Sequence, residues 1–129
     1  MKKILVVDND LLILEFVKDL LEENGHEVRL AEDGLKALDV LQTYFPDIIF
    51  VDLVMPNIDG RQLCHAIRRM KRQENSIIAV MSALAAEERD NIADLAADTL
   101  IAKGPFPDLS RHILSVVENP EENRRKCLG

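Results

Sequence analysis

The chain has 129 residues, a formal net charge of −7, no tryptophan and one tyrosine. That length suits a single domain with its own core. The acidic balance and the scarcity of aromatic rings argue against a surface on this domain that tracks nucleic-acid phosphates or stacks bases. An acidic chain suits a cation site or a basic partner instead.

Cys64 and Cys127 have no metal-ligand spacing and form no disulfide framework, so a reducing, cytoplasmic setting is the default. Met1-Lys2-Lys3 followed by Ile4-Leu5-Val6-Val7 imitates the start of a secretion signal, but the apolar stretch stops at Asp8. No run approaches the roughly 18 apolar residues that span a bilayer.

In chain order, residues 3–7 form a short apolar strand running into Asp8-Asn9-Asp10. From Leu11 the period changes to that of an amphipathic helix, with Ile13, Val17 and Leu21 on the apolar side and Asn24-Gly25 as its stop. His26 to Ala31 alternates polar and apolar, as an edge strand does. Asp33-Gly34 opens a second helix that ends before Pro46, and Ile48-Ile49-Phe50-Val51 is an uninterrupted apolar strand delivering Asp52. Pro56-Asn57-Ile58-Asp59-Gly60 is a turn-rich loop. It leads to a third helix with Leu63, Ile67 and Met70 inward and a basic set, Arg61, Arg68, Arg69, Lys71 and Arg72, read as facing solvent. Ser76 to Met81 is a buried strand ending in Ser82. A fourth helix is expected over 85–96, a fifth strand over 99–102 ending in Lys103, and a last helix over 108–118. Asn119-Pro120 closes it. Five β–α units in alternation mean an α/β domain with a parallel sheet covered on both faces.

Carboxyl ends of parallel strands share one edge, where such folds place their chemistry. Asp8, Asn9, Asp10, Asp52, Ser82 and Lys103 should therefore converge. Carboxylates crowded into one cleft raise one another's pKa unless a cation neutralises them. Mg²⁺ accepts one or two such ligands, keeps waters and binds a phosphoryl oxygen, and a lysine and a hydroxyl nearby complete a phosphoryl site.

Leu5-Val6-Val7-Asp8, Asp52 with Met55-Pro56 and Asp59-Gly60, Ser82-Ala83 and Lys103, in this order and spacing, resemble the receiver domain of bacterial two-component response regulators over about residues 2–118. The resemblance implies a flavodoxin-like (βα)5 three-layer sandwich, with a five-stranded parallel sheet in the order 2-1-3-4-5. It places the receiver domain at 1–118 and leaves 119–129 as a polar tail or the start of a linker. It implies a regulatory phosphoacceptor rather than an enzyme: Asp52 would take a phosphoryl group, paired by Lys103 and hydrogen-bonded by Ser82. Mg²⁺ would be held by Asp8, Asn9, Asp52 and the main-chain carbonyl of Leu53. Asp10 is a further candidate ligand, although its place also suits the cap of the first helix. The implied partners are a sensor histidine kinase or histidine phosphotransfer protein, a downstream protein or fused output domain, and a second copy in a homodimer. Neither nucleic acid nor membrane would be bound directly.

The chain departs from that family's pattern in several places. Asn9 stands where the second of two adjacent acids is expected, which predicts weaker Mg²⁺ binding. Lys103 is followed by Gly104-Pro105 instead of proline; a cis bond before glycine costs about 3–4 kcal/mol, so a trans Lys103–Gly104 peptide is expected. Leu100 replaces an aromatic switch residue. Val54 and Leu84 cannot orient an attacking water, which predicts slow autodephosphorylation. Asn9, Gly104 and Leu100 also feed the alternative of a pseudo-receiver, the same fold used as a phosphorylation-independent interaction module. A haloacid-dehalogenase-type phosphohydrolase, with Asp8 as nucleophile and Asp10 as acid/base, would need a further acidic pair after the lysine, and nothing suitable follows Lys103. A Ca²⁺ loop starting at Asp8 would need glycine where Ile13 stands. His26, His65 and His112 are too dispersed to suggest a phosphocarrier.

Overall fold

The computed structural model describes residues 1–83 and 94–124. The helix expected over 85–96 lies mostly outside the described residues, as do Leu84 and Cys127. The elements are β1 (Lys3–Val7), α1 (Leu11–Glu23), β2 (Glu27–Ala31), α2 (Gly34–Val40), β3 (Ile48–Asp52), α3 (Gly60–Arg69), a 3-10 turn (Lys71–Gln73), β4 (Ile77–Ser82), β5 (Thr99–Ala102), α4 (Phe106–Glu118) and α5 (Pro120–Asn123). All strand pairs are parallel and the order is β2-β1-β3-β4-β5, the flavodoxin-like arrangement that the family resemblance implied.

Alternation along each strand divides the interior into two cores. Leu5, Val7, Ile49, Val51, Ile78 and Val80 face Leu63, Cys64 and Ile67 of α3 and Ala37 of α2. Ile4, Val6, Phe50, Ala79 and Met81 face Val17 and Leu21 of α1 and Leu109 and Ile113 of α4. The central strands β3 and β4 are buried along their whole length, whereas β2 at the edge alternates. Burial on both faces is why these central strands read as continuous apolar runs.

Three helix starts are fixed by aspartates. Asp10 accepts from Leu12 N at 2.9 Å, Asp33 from Lys36 N at 2.8 Å, and Asp59 forms a capping box with Gln62. Gly60 follows that last cap because nothing larger fits. A Cβ there would stand 2.5 Å from the Asp52 carbonyl oxygen and 2.6 Å from the Leu53 Cα. The start of α3 is thereby pressed against the end of β3.

Two expectations need correction. Arg68 does not face solvent: its guanidinium meets the fully buried Asp98 at 2.5 Å and donates to the carbonyls of Ala96 (2.9 Å) and Ser76 (2.8 Å). Asp98 also accepts from Ile78 N at 2.8 Å, so one ion pair ties α3 to the starts of β4 and β5. The last helix begins at Phe106, two residues before the expected 108, with Pro105 as its N-cap. The described start of the stretch from 119 packs against the domain. Asn123 is buried and donates to the Asn119 carbonyl, and Arg124 donates to the Asn75 carbonyl at 3.1 Å.

Candidate functional site

Register assembles the site. Val7 pairs with Val51, so Asp8 stands level with Asp52; Asp52 pairs with Met81, and Ser82 with Ala102, so Ser82 and Lys103 follow one step on. The strands thus deliver Asp8, Asp52, Ser82 and Lys103 to one edge of the sheet.

Asp8 is fully buried. Its Oδ1 accepts from Asp10 N at 2.9 Å and its Oδ2 lies 2.8 Å from Lys103 Nζ. The same ammonium lies 3.1 Å from Asp52 Oδ1, which the Val54 N–H also approaches at 3.4 Å. Both groups engage Oδ1 of Asp52. The buried Ser82 accepts the Lys103 N–H on its carbonyl at 3.0 Å, holding the lysine backbone at the end of β5.

Two buried carboxylates share one ammonium, and the charge imbalance shows in their neighbours. Burial, and then the negative charge of Asp8, push the Asp52 carboxyl up to about 6, against the pull of Lys103 and the Val54 N–H. Burial draws the Lys103 ammonium down, but its hydrogen bond and charge contact with Asp8, and then with Asp52, outweigh this and leave it raised. Lys103 therefore stays charged.

The remaining candidates are placed differently. Asn9, directly after Asp8, and Val54, two residues after Asp52, are both exposed. Asp10 turns away to cap α1, and among the described residues no three acidic, histidine or cysteine side chains gather as a metal cluster. The Leu53 carbonyl accepts the Gly60 N–H at 2.9 Å, which commits one of its lone pairs to the start of α3. Leu100 is half-buried against the α2–α3 core. No described peptide bond is cis, so Lys103–Gly104 is trans as expected, and Gly104 takes a φ of +39°.

Two contacts near the site escaped sequence reasoning. One is the bridge that Lys103 makes to Asp8 as well as to Asp52. The other is a stack between Phe16 of α1 and Phe106 at the start of α4, with ring centroids 4.2 Å apart and planes 14° from parallel.

A family model described as response regulator receiver domain matches residues 4–114. Response regulator MprA of Mycobacterium sp. strain KMS is 35% identical over 104 residues, covering 81% of this chain and 44% of its own length. The chain thus spans less than half the length of the curated relatives it matches. Among solved structures, chemotaxis response regulator CheY4 of Vibrio cholerae superposes with a TM-score of 0.81 at 27% identity, covering 91% of this chain and 98% of its own. Response regulator TrrA of Thermotoga maritima, solved in complex with Mg²⁺ and BeF, gives a TM-score of 0.75 at 32% identity, covering 90% and 99%. Among the described residues, no helix is long and apolar enough to cross a membrane.

Proposed function

This chain belongs to the response regulator receiver domain family, and from that premise we propose that it accepts a phosphoryl group on Asp52 in a two-component phosphorelay. The observation that carries the reading is the Lys103 ammonium set between the buried carboxylates of Asp8 and Asp52 at the strand ends. An uncompensated negative charge in a buried pocket fits a hard divalent cation. Two carboxylates beside the exposed Asn9 fit Mg²⁺, which keeps several of its waters. Asp8 and Asp52 would hold the ion, with the Asn9 amide oxygen and the Leu53 carbonyl through its remaining lone pair. When bound, Mg²⁺ supplies neutralisation of the charge that builds on a transferring phosphoryl group.

In this reading the Asp52 carboxylate attacks the phosphorus of a phosphohistidine on a sensor kinase or phosphotransfer protein. The P–N bond breaks as the P–O bond forms. Lys103, held near Asp52 Oδ1, would pair with a phosphoryl oxygen, and the Ser82 hydroxyl would hydrogen-bond another. Recruiting Lys103 to the phosphoryl group weakens its tie to Asp8, and that exchange is the local event a downstream partner or output domain would read. With Leu100 in β5, the readout proceeds without an aromatic flip. The exposed Val54 orients no attacking water, so the phosphoryl group is lost slowly. The setting is cytoplasmic, and direct contact with nucleic acid or membrane is no part of the reading. A homodimer is one form in which the switch can act.

Incubation with acetyl phosphate and Mg²⁺, followed by intact mass and an Asp52→Asn control, tests this. Gain of one phosphoryl group by the wild type alone supports it. The pseudo-receiver reading draws on the exposed Asn9 and the absence of a third carboxylate beside Asp8 and Asp52 among the described residues. A wild type that stays unmodified would favour it.

A further inference from the structure

We propose that the stacked rings of Phe16 and Phe106 position Lys103, taking over the restraint that a proline directly after the lysine would supply. The inference rests on the reading of Asp52 as phosphoacceptor and names two positioning residues for it. Among the described residues, the segment that carries Lys103 into α4 is held by a backbone hydrogen bond on one side only. Before it, the Lys103 N–H is bound to the Ser82 carbonyl. After it comes Gly104, at a φ of +39° with no atom of the described residues beyond its chain neighbours within 4 Å of where a Cβ would stand, and residues 104–107 are all exposed. Glycine in open space restrains the backbone least.

From Pro105 onward the chain belongs to α4, because the Pro105 carbonyl accepts Leu109 N at 3.0 Å and opens the helix. The far side of Gly104 is therefore only as fixed as the first turn of α4. Phe106 is the first residue of that turn. The residue remains 36% exposed, yet its ring stacks on Phe16 of α1 at 4.2 Å. The start of α1 is in turn joined to Asp8, since Asp10 donates its N–H to Asp8 and caps the helix through Leu12 N. The stack thus closes a frame from Lys103 through α4 and α1 to the carboxylate that Lys103 must reach. Leu109 and Ile113 are fully buried against α1, so α4 stays docked without the rings. What the rings fix is the end of the helix beside the lysine.

The experiment compares wild type, Phe106→Ala, Phe16→Ala and Phe106→Tyr, each also in a Lys103→Ala background. Circular dichroism and thermal unfolding confirm that each variant folds. Either alanine variant should lower the maximal rate of aspartyl phosphate formation from acetyl phosphate by roughly three- to tenfold, the factor an aromatic pair contributes to one equilibrium. The acetyl phosphate concentration at half-maximal rate should stay unchanged, and Phe106→Tyr should keep the wild-type rate. In the Lys103→Ala background the alanine changes should cost nothing further. An equal loss in both backgrounds, or no loss in either, overturns the proposal.

A second measurement needs no phosphorylation. In metal-free protein the ¹⁵N-detected ammonium signal of Lys103 should be sharp in wild type and broadened in Phe106→Ala. An unchanged signal overturns the clamp. If the wild type takes up no phosphoryl group, the reading of Asp52 falls while this comparison still decides the role of the rings.

Discussion

Replacing Asp52 by asparagine should stabilise the metal-free protein at neutral pH. Burial and Asp8 raise the Asp52 carboxyl from about 3.8 to about 6. At 1.36 kcal/mol for each tenfold change in ionisation, the native state carries a penalty of up to about 3 kcal/mol on the charged form. Because the native pKa is the higher one, the folded protein holds a proton between pH 4 and 6 that the unfolded chain has released. Stability contributed by this group is thus complete below about pH 4, falls as pH rises to about 6, and stays low above that. Asparagine carries no charge at any of these values. Its advantage should therefore grow from near zero at pH 4 to about 1–3 kcal/mol at pH 7.5. Urea unfolding in EDTA at pH 4, 5.5 and 7.5, with the m value checked for constancy, measures this. Adding Mg²⁺ should then narrow the gap, because the ion binds the folded wild type more tightly than the variant. A variant no more stable than wild type at pH 7.5, or equally stabilised at pH 4, would refute the charge argument.

Ala96 has a φ of +58°, in the left-handed region, while its carbonyl is held by Arg68. Ala96→Gly should raise the urea midpoint by an amount worth about 0.5–1 kcal/mol, the relief of strain less the added freedom of glycine when unfolded. Arg68→Ala removes the guanidinium from the buried Asp98 and should destabilise by about 3 kcal/mol in the same assay, within the range for breaking a buried pair; a loss below 1 kcal/mol would show that the pair is not a clamp. Asn9→Asp adds a carboxylate directly after Asp8 and should tighten Mg²⁺ binding about tenfold, some 1.4 kcal/mol, by calorimetric titration. Unchanged affinity would remove Asn9 from the ligand set.

Much of the fold could be read along the chain because its signals are local. Ile48 to Val51 must be buried on both faces, the aspartates at positions 10, 33 and 59 announce helix starts, and strand–helix alternation dictates a parallel sheet. Convergence of Asp8, Asp52, Ser82 and Lys103 follows from the same logic, since strand ends share an edge. What stayed hidden depends on partners distant in sequence. Arg68 sits among Arg61, Arg69, Lys71 and Arg72, so its helical position reads as solvent-facing, and only the 30-residue reach to Asp98 makes it structural. Asp98, a charge at the start of a buried strand, was the available hint that a cation must lie nearby. The early start of α4 was masked by Asp108, which looks like a cap, whereas Pro105 and Pro107 serve the first turn. Ring stacking between Phe16 and Phe106 has no local signature at all.

The central claim is that Asp52 is a phosphoacceptor served by Lys103 and a divalent cation. Its most direct test is the intact mass of the protein after acetyl phosphate treatment, with Mg²⁺ or with EDTA, for wild type, Asp52→Asn and Lys103→Ala. The account predicts one added phosphoryl group on the wild type with Mg²⁺, none with EDTA, none on Asp52→Asn and a strongly reduced fraction on Lys103→Ala. An unmodified wild type, or a phosphoryl group that persists on Asp52→Asn, would contradict it.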